Sequence, residues 1–170
     1  MSDRYIDFVN SPLGQLLAKN LGLPAPLALD RFKADAPVVK GAVLVGAAAG
    51  GELTAAITQV LANIKAEVFA AADSAVHGLA SAAGLATVSY APAAEDGQKF
   101  KALIFDASGI TRSDDLIALH SFFSPVIRKL SNSSRIIVIG RTPELCDCPK
   151  HATAQRALEG FTRAIGKEAK

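Results

Sequence analysis

Hydrophobic and polar positions change their period several times along the chain. Near the N-terminus, Leu13, Leu16, Leu17 and Leu21 fall on one helical face. Ser11 is placed to cap that helix, Pro12 to be its first residue and Gly22 to end it. Pro24, Pro26 and Pro37 predict an irregular or extended stretch after it. From Lys40 onward the pattern alternates. Ala42–Val45 is a short apolar run ending in glycine, as a buried parallel strand requires. Leu53, Ile57, Val60, Leu61 and Ile64 then recur at helical spacing. Ala66–Ala70 predicts a second strand, and Ser74 caps a short helix ending near Gly84. Leu85–Gln98 has no readable period. Lys101–Phe105 predicts a third strand and Arg135–Gly140 a fourth. Between them, Ile117, Phe122, Val126, Ile127 and Leu130 mark a helix over Asp114–Leu130, kinked near Pro125. Ala154, Ala157, Leu158, Phe161 and Ile165 mark the last helix.

Strands alternating with helices predict an α/β fold. Right-handed crossovers make it a doubly wound parallel sheet, a Rossmann- or flavodoxin-like three-layer sandwich. The domain organisation read from the sequence is a helical arm over 1–40 and a Rossmann-like domain over 41–170. A chain of 170 residues can bury a core of that kind.

Composition narrows the function classes. Half the residues are hydrophobic, a fifth are charged and the net charge is +2, with no basic stripe for nucleic acid. No apolar run is long enough to cross a bilayer, and Met1–Tyr5 carries no signal-like segment. Two cysteines, Cys146 and Cys148, fit a reducing, cytoplasmic setting. They form a C-x-C pair three residues before His151, in a stretch that reads as a polar loop. A metal site would need a further ligand pair, so no metal is expected and surface thiols are the default. His77 and His120 lie in helical stretches, where surface or hydrogen-bonded roles are ordinary.

The candidate chemistry sits after the first strand, in Gly46-Ala47-Ala48-Ala49-Gly50-Gly51-Glu52. Glycines here let a backbone turn tightly and approach a pyrophosphate at a helix N-terminus. Gly46, Gly50 and Gly51 are therefore the candidate cofactor-binding residues, with Asp73 near the place of a ribose-binding acid. The same glycines also serve any strand that must turn into a helix. Glu52 at the helix start suits the helix dipole but repels phosphate. A flavin loop would need hydroxyls, which Ala47-Ala48-Ala49 does not supply.

Several segments carry a resemblance to short-chain dehydrogenases. The glycine loop is similar to T-G-x-x-x-G-x-G, with Val45 and Glu52 in place of the first Thr and last Gly. Phe105-Asp106-Ala107-Ser108-Gly109-Ile110-Thr111 resembles N-N-A-G-I-T. Arg135–Gly140 and Gly160-Phe161-Thr162-Arg163 resemble the strand bearing the catalytic serine and the helix after Y-x-x-x-K. Set against these anchors, the catalytic tyrosine falls on His151, the lysine on Gln155 and the serine on Arg141. No Asn occurs between Asp106 and Leu130 to supply the fourth residue. Independently of any alignment, the only tyrosines are Tyr5 and Tyr90. The residues four beyond them are Val9 and Ala94, so no Y-x-x-x-K exists. Carbonyl reduction needs a phenol to give its proton to the developing alkoxide, an ammonium to lower the phenol's pKa and a serine to orient the carbonyl.

A reductase-like chain without these groups resembles the N-terminal, flavodoxin-like domain of high-molecular-weight 3-oxoacyl-(acyl-carrier-protein) reductases. His120–Val126, Gly140–Glu144, Val9–Gly14 and Leu21–Pro24 add to the match, which is weakest over Ala71–Gln98. The resemblance implies a parent enzyme that reduces 3-oxoacyl thioesters with NAD(P)H in fatty-acid biosynthesis. It implies a non-catalytic structural and oligomerisation role here, with no cofactor bound. The implied partners are the C-terminal reductase domain of the same polypeptide, a second copy, and acyl carrier protein or acyl-CoA for the parent. It also implies further strands beyond Lys170. The alternative reading is a nucleotide-binding module keeping a weakened dinucleotide site.

Overall fold

Among the described residues five strands meet edge to edge as a parallel sheet whose central strands are apolar runs, since strands buried on both faces leave no room for polar alternation. The computed structural model describes residues 4–22, 29–31, 33–92 and 97–169. Pro24, Pro26, Met1–Asp3 and part of the aperiodic stretch before Gln98 lie outside the described residues.

The chain divides into two units, Met1–Ala36 and Pro37–Lys170. The first contains α1 (Arg4–Val9) and α2 (Pro12–Leu21). The cap predicted for α2 is present: the Ser11 hydroxyl accepts from the Gly14 N–H at 3.1 Å. Gly22 ends the helix in the left-handed region at φ +62. Gly14 and Ala18 are the buried residues of α2, while Leu13, Leu16, Leu17 and Leu21 are exposed. The leucine face expected from the spacing is therefore on the surface. α1 is not legible in the sequence as an element, because six residues offer less than two turns of periodicity.

The second unit has the strands β1 (Val43–Ala47), β2 (Val68–Ala70), β3 (Thr87–Ser89), β4 (Phe100–Asp106) and β5 (Leu130–Ile139). Its helices are α3 (Thr54–Asn63), α4 (Val76–Ala82), α5 (Ile117–Phe123) and α6 (Pro149–Glu168). The sheet order is β3-β2-β1-β4-β5, all parallel, with Val43 opposite Val68 and Ala102. Pleating sends alternate residues to opposite faces. Val43, Val45, Val68 and Ile104 pack with Ile57 and Leu61 of α3 and Val76 of α4. Leu44, Phe69, Leu103 and Phe105 pack with Leu119 and Phe123 of α5 and Ala154, Leu158 and Ile165 of α6. This is the predicted three-layer, doubly wound sandwich.

The differences from the sequence expectations have local causes. Among the described residues there are five strands rather than four: β3 has only three residues, too few to show alternation. β2 begins at Val68, not Ala66, because Lys65 turns the chain at φ +53 and the Ala66 N–H still bonds the Leu61 carbonyl at 3.0 Å. β5 starts at Leu130, five residues early, hidden by the polar run Ser131-Asn132-Ser133-Ser134. Ser133 sits at φ +55 there, where β5 advances from Leu130 to Arg135 while β4 advances only from Phe100 to Ala102. The helix expected over Asp114–Leu130 breaks into a 3-10 turn at Ser113–Leu116, α5, and a second 3-10 turn at Ile127–Lys129. Pro125, lacking an N–H, lies at the break.

Candidate functional site

In a doubly wound sheet, ligands bind outside the carboxyl ends of the strands where the order reverses, here between β1 and β4. The end of β1 and the loop after it bring Gly46, Gly50 and Gly51 to that point. Gly50 takes the left-handed conformation, φ +73, that the turn into α3 demands. Gly46 lies flat beneath the Phe122 ring, so closely that a Cβ would overlap it. The glycine is thus used to seat an aromatic side chain of α5. Gly51 lies against a carboxylate: a Cβ built on it would stand 2.8 Å from Asp106 Oδ2.

That carboxylate changes the meaning of the loop. Asp106 closes β4 and is fully buried. Its Oδ2 accepts the Leu53 N–H at 2.9 Å and the Thr54 hydroxyl at 2.8 Å. Its Oδ1 accepts the Ser108 N–H at 3.0 Å and the Ser108 hydroxyl at 2.6 Å. Ser108 Oγ in turn accepts the Glu52 N–H at 2.8 Å. An anion at a helix N-terminus satisfies donors that otherwise have no partner. Here the anion belongs to the protein, and α3 is capped from 53 residues away. Burial by itself raises the Asp106 pKa. Hydrogen bonds from the Ser108 side chain and backbone, Thr54 and Leu53 outweigh it and hold the carboxyl below its ordinary value. Sequence reasoning misses this role. A signal is present in the chain: an acid ends the strand beside a helix whose expected glycine is already replaced, by Glu52.

The positions at which the resemblance puts catalytic residues are occupied by packing. Gln155, in the lysine position on α6, is buried. Its amide donates to the carbonyls of Ala107 at 2.9 Å and Ile110 at 2.7 Å and accepts the Arg141 N–H at 2.7 Å. One side chain thus joins the loops after β4 and β5 to α6. Arg141, in the serine position, turns its guanidinium to an ion pair with Glu52 at the surface. His151, in the tyrosine position, is expected from the sequence in a polar loop. It lies instead in the first turn of α6, which begins at Pro149, and is buried, with no partner among the described residues for Nε2. The helix begins earlier than the polar sequence suggests because Pro149 presets its first turn.

Cys146 and Cys148 are free thiols, half-buried and exposed respectively. Among the described residues no three His, Cys, Asp or Glu side chains come together as metal ligands. His77 is a hydrogen-bonded residue of α4, with Nδ1 2.6 Å from Thr87 Oγ1 and Nε2 2.9 Å from the Ala71 carbonyl. His120 is exposed beside the groove between α5 and α6. Asp73 is exposed at the mouth of a crevice of about 560 Å³ formed by the glycine loop, the turn after β2, Tyr90 and α5. A wider, shallower groove of about 650 Å³ runs along α6 past Pro143, Ala152 and Gly160. The surface pair Arg156–Glu144 belongs to it.

No helix among the described residues is long and apolar enough to cross a membrane. No protein-family model matches the chain, and no curated protein matches it. Among solved structures, the TT0495 protein from Thermus thermophilus is similar at a TM-score of 0.42 and 19% identity. The match covers 74% of this chain and 66% of that one, just under two thirds of its length, a likeness too slight to carry an argument about function.

Proposed function

We propose that this chain is a non-catalytic structural and oligomerisation domain, of the kind that precedes the reductase domain in high-molecular-weight 3-oxoacyl-(acyl-carrier-protein) reductases. The observation that carries the reading is Gln155. A lysine there would have to reach a cofactor ribose and a tyrosine, but the side chain present is buried and tied at both ends to backbone. Asp106 supports the same reading, because its carboxylate takes the Leu53 N–H at the start of α3, where a pyrophosphate would seek a donor. The parent's chemistry, hydride transfer from NAD(P)H to a 3-oxoacyl thioester, then belongs to the C-terminal reductase domain of the same polypeptide. Acyl carrier protein or acyl-CoA is that domain's substrate partner.

The oligomerisation role is supported by the groove between α5 and α6. Leu116, Phe123, Ile127, Phe161 and Ile165 line an apolar groove of about 480 Å³ between them. Covering it with the same groove of a second copy gives an isologous dimer. Two measurements test the proposal. The purified chain should give no turnover of acetoacetyl thioester with NADH or NADPH, and sedimentation should show a dimer that Phe161→Glu dissociates. Clear turnover, or a monomer at all concentrations, overturns it.

A second reading is favoured by the crevice at Gly46, Gly50, Gly51 and Asp73, whose volume is that of a small-molecule site. In it the chain is a binding module with a weakened dinucleotide site. Saturable NADH or NADPH binding by calorimetry distinguishes this reading from the first.

A further inference from the structure

The crevice at the strand ends has an unusual charge pattern for a place where nucleotides would bind. Asp73 is the one charged side chain along its walls among the described residues, and no Lys, Arg or His lines it there. Behind the glycine loop lies the buried Asp106 carboxylate, already holding the Leu53 N–H and, through Ser108, the Glu52 N–H. A phosphate entering here meets the Asp73 carboxylate, no cation on the described lining, and a helix entry whose Glu52 and Leu53 N–H groups are already bonded, with the Asp106 charge behind it.

The rest of the lining has the opposite character. The half-buried Phe122 ring, packed 5.0 Å from the buried Phe105, and small backbone-like residues offer apolar surface. Tyr90 also lines the crevice. It is 5% exposed, and its hydroxyl has no hydrogen-bond partner among the described residues. A buried hydroxyl without a partner costs free energy that a ligand atom would recover. Ser121 adds an exposed hydroxyl from α5, and Asp73 an acceptor suited to a diol.

We propose that this crevice is a phosphate-excluding site for an uncharged nucleoside: a planar ring against Phe122, hydroxyls toward Asp73 and Ser121. The inference goes beyond the structural role and replaces the dinucleotide of the second reading by a ligand without phosphates.

The test titrates the full 170-residue chain with adenosine, AMP and NADH, using calorimetry and saturation-transfer NMR. Adenosine should saturate below about 1 mM, and AMP should bind at least about tenfold more weakly. Ser121→Tyr, a change at an exposed position that fills the crevice, should abolish adenosine binding without lowering the thermal midpoint. Asp73→Arg should bring AMP to within about threefold of adenosine. If NADH or AMP binds as tightly as adenosine, the phosphate-excluding site is wrong and the weakened dinucleotide site gains. If no adenosine binding saturates, the inference is overturned while the structural role stands.

Discussion

Replacing Asp106 by Asn tests whether an internal carboxylate, rather than a ligand, caps α3. The carboxylate accepts four hydrogen bonds, two on each oxygen. An asparagine keeps one acceptor oxygen and presents an NH2 group to the other pair of donors. The Thr54 or Ser108 hydroxyl can rotate to accept from it, but the backbone N–H of Leu53 or Ser108 cannot. One buried N–H is then unpaired, at a cost of about 1–3 kcal/mol, and the surviving bonds lose their charge assistance. Against this, a neutral amide is cheaper to bury than a carboxylate. The net loss is about 2–4 kcal/mol, measured by urea denaturation followed by circular dichroism, or roughly 5–15 °C in thermal midpoint. The pH dependence gives a second check. The native Asp106 pKa is lowered, so its contribution is complete above the unfolded value of about 4 and is lost as pH falls through the native value. The destabilisation of Asp106→Asn should therefore shrink in acid. A loss under about 1 kcal/mol at neutral pH, or one that persists unchanged at low pH, would refute the reasoning.

Gln155→Leu keeps the volume but strips partners from the Arg141 N–H and the Ala107 and Ile110 carbonyls, so denaturation should show a loss of about 2–4 kcal/mol. Gln155→Lys should destabilise by a similar or larger amount and yield no reductase turnover, since it buries a charge without supplying a tyrosine. His151→Leu should be neutral or stabilising in the same assay, because it removes a buried nitrogen that has no partner among the described residues. Gly46→Ala should cost about 1–3 kcal/mol and shift aromatic resonances in the NMR spectrum as Phe122 is pushed off the loop.

The short apolar runs at Val43, Val68 and Leu103 point to strands buried in a layered sheet, and the spacing of Leu53, Ile57 and Leu61 to a helix covering it. The α/β class, the helix cap at Ser11, the break at Pro125 and the missing Y-x-x-x-K were therefore determined by the sequence itself. They depend on neighbours within a turn or two, where the pattern is local. The short β3, the polar start of β5 and the burial of His151 were decided by pairing and packing across the chain. So was the state of the glycine loop. Gly46, Gly50 and Gly51 read alike whether they face a pyrophosphate or a side chain. The choice was made by Asp106 and Phe122, which lie far along the chain from Leu53 and Gly46 and are brought there by the sheet crossover. A donor at a helix start is open or spent according to what tertiary structure places against it, and no local pattern records that.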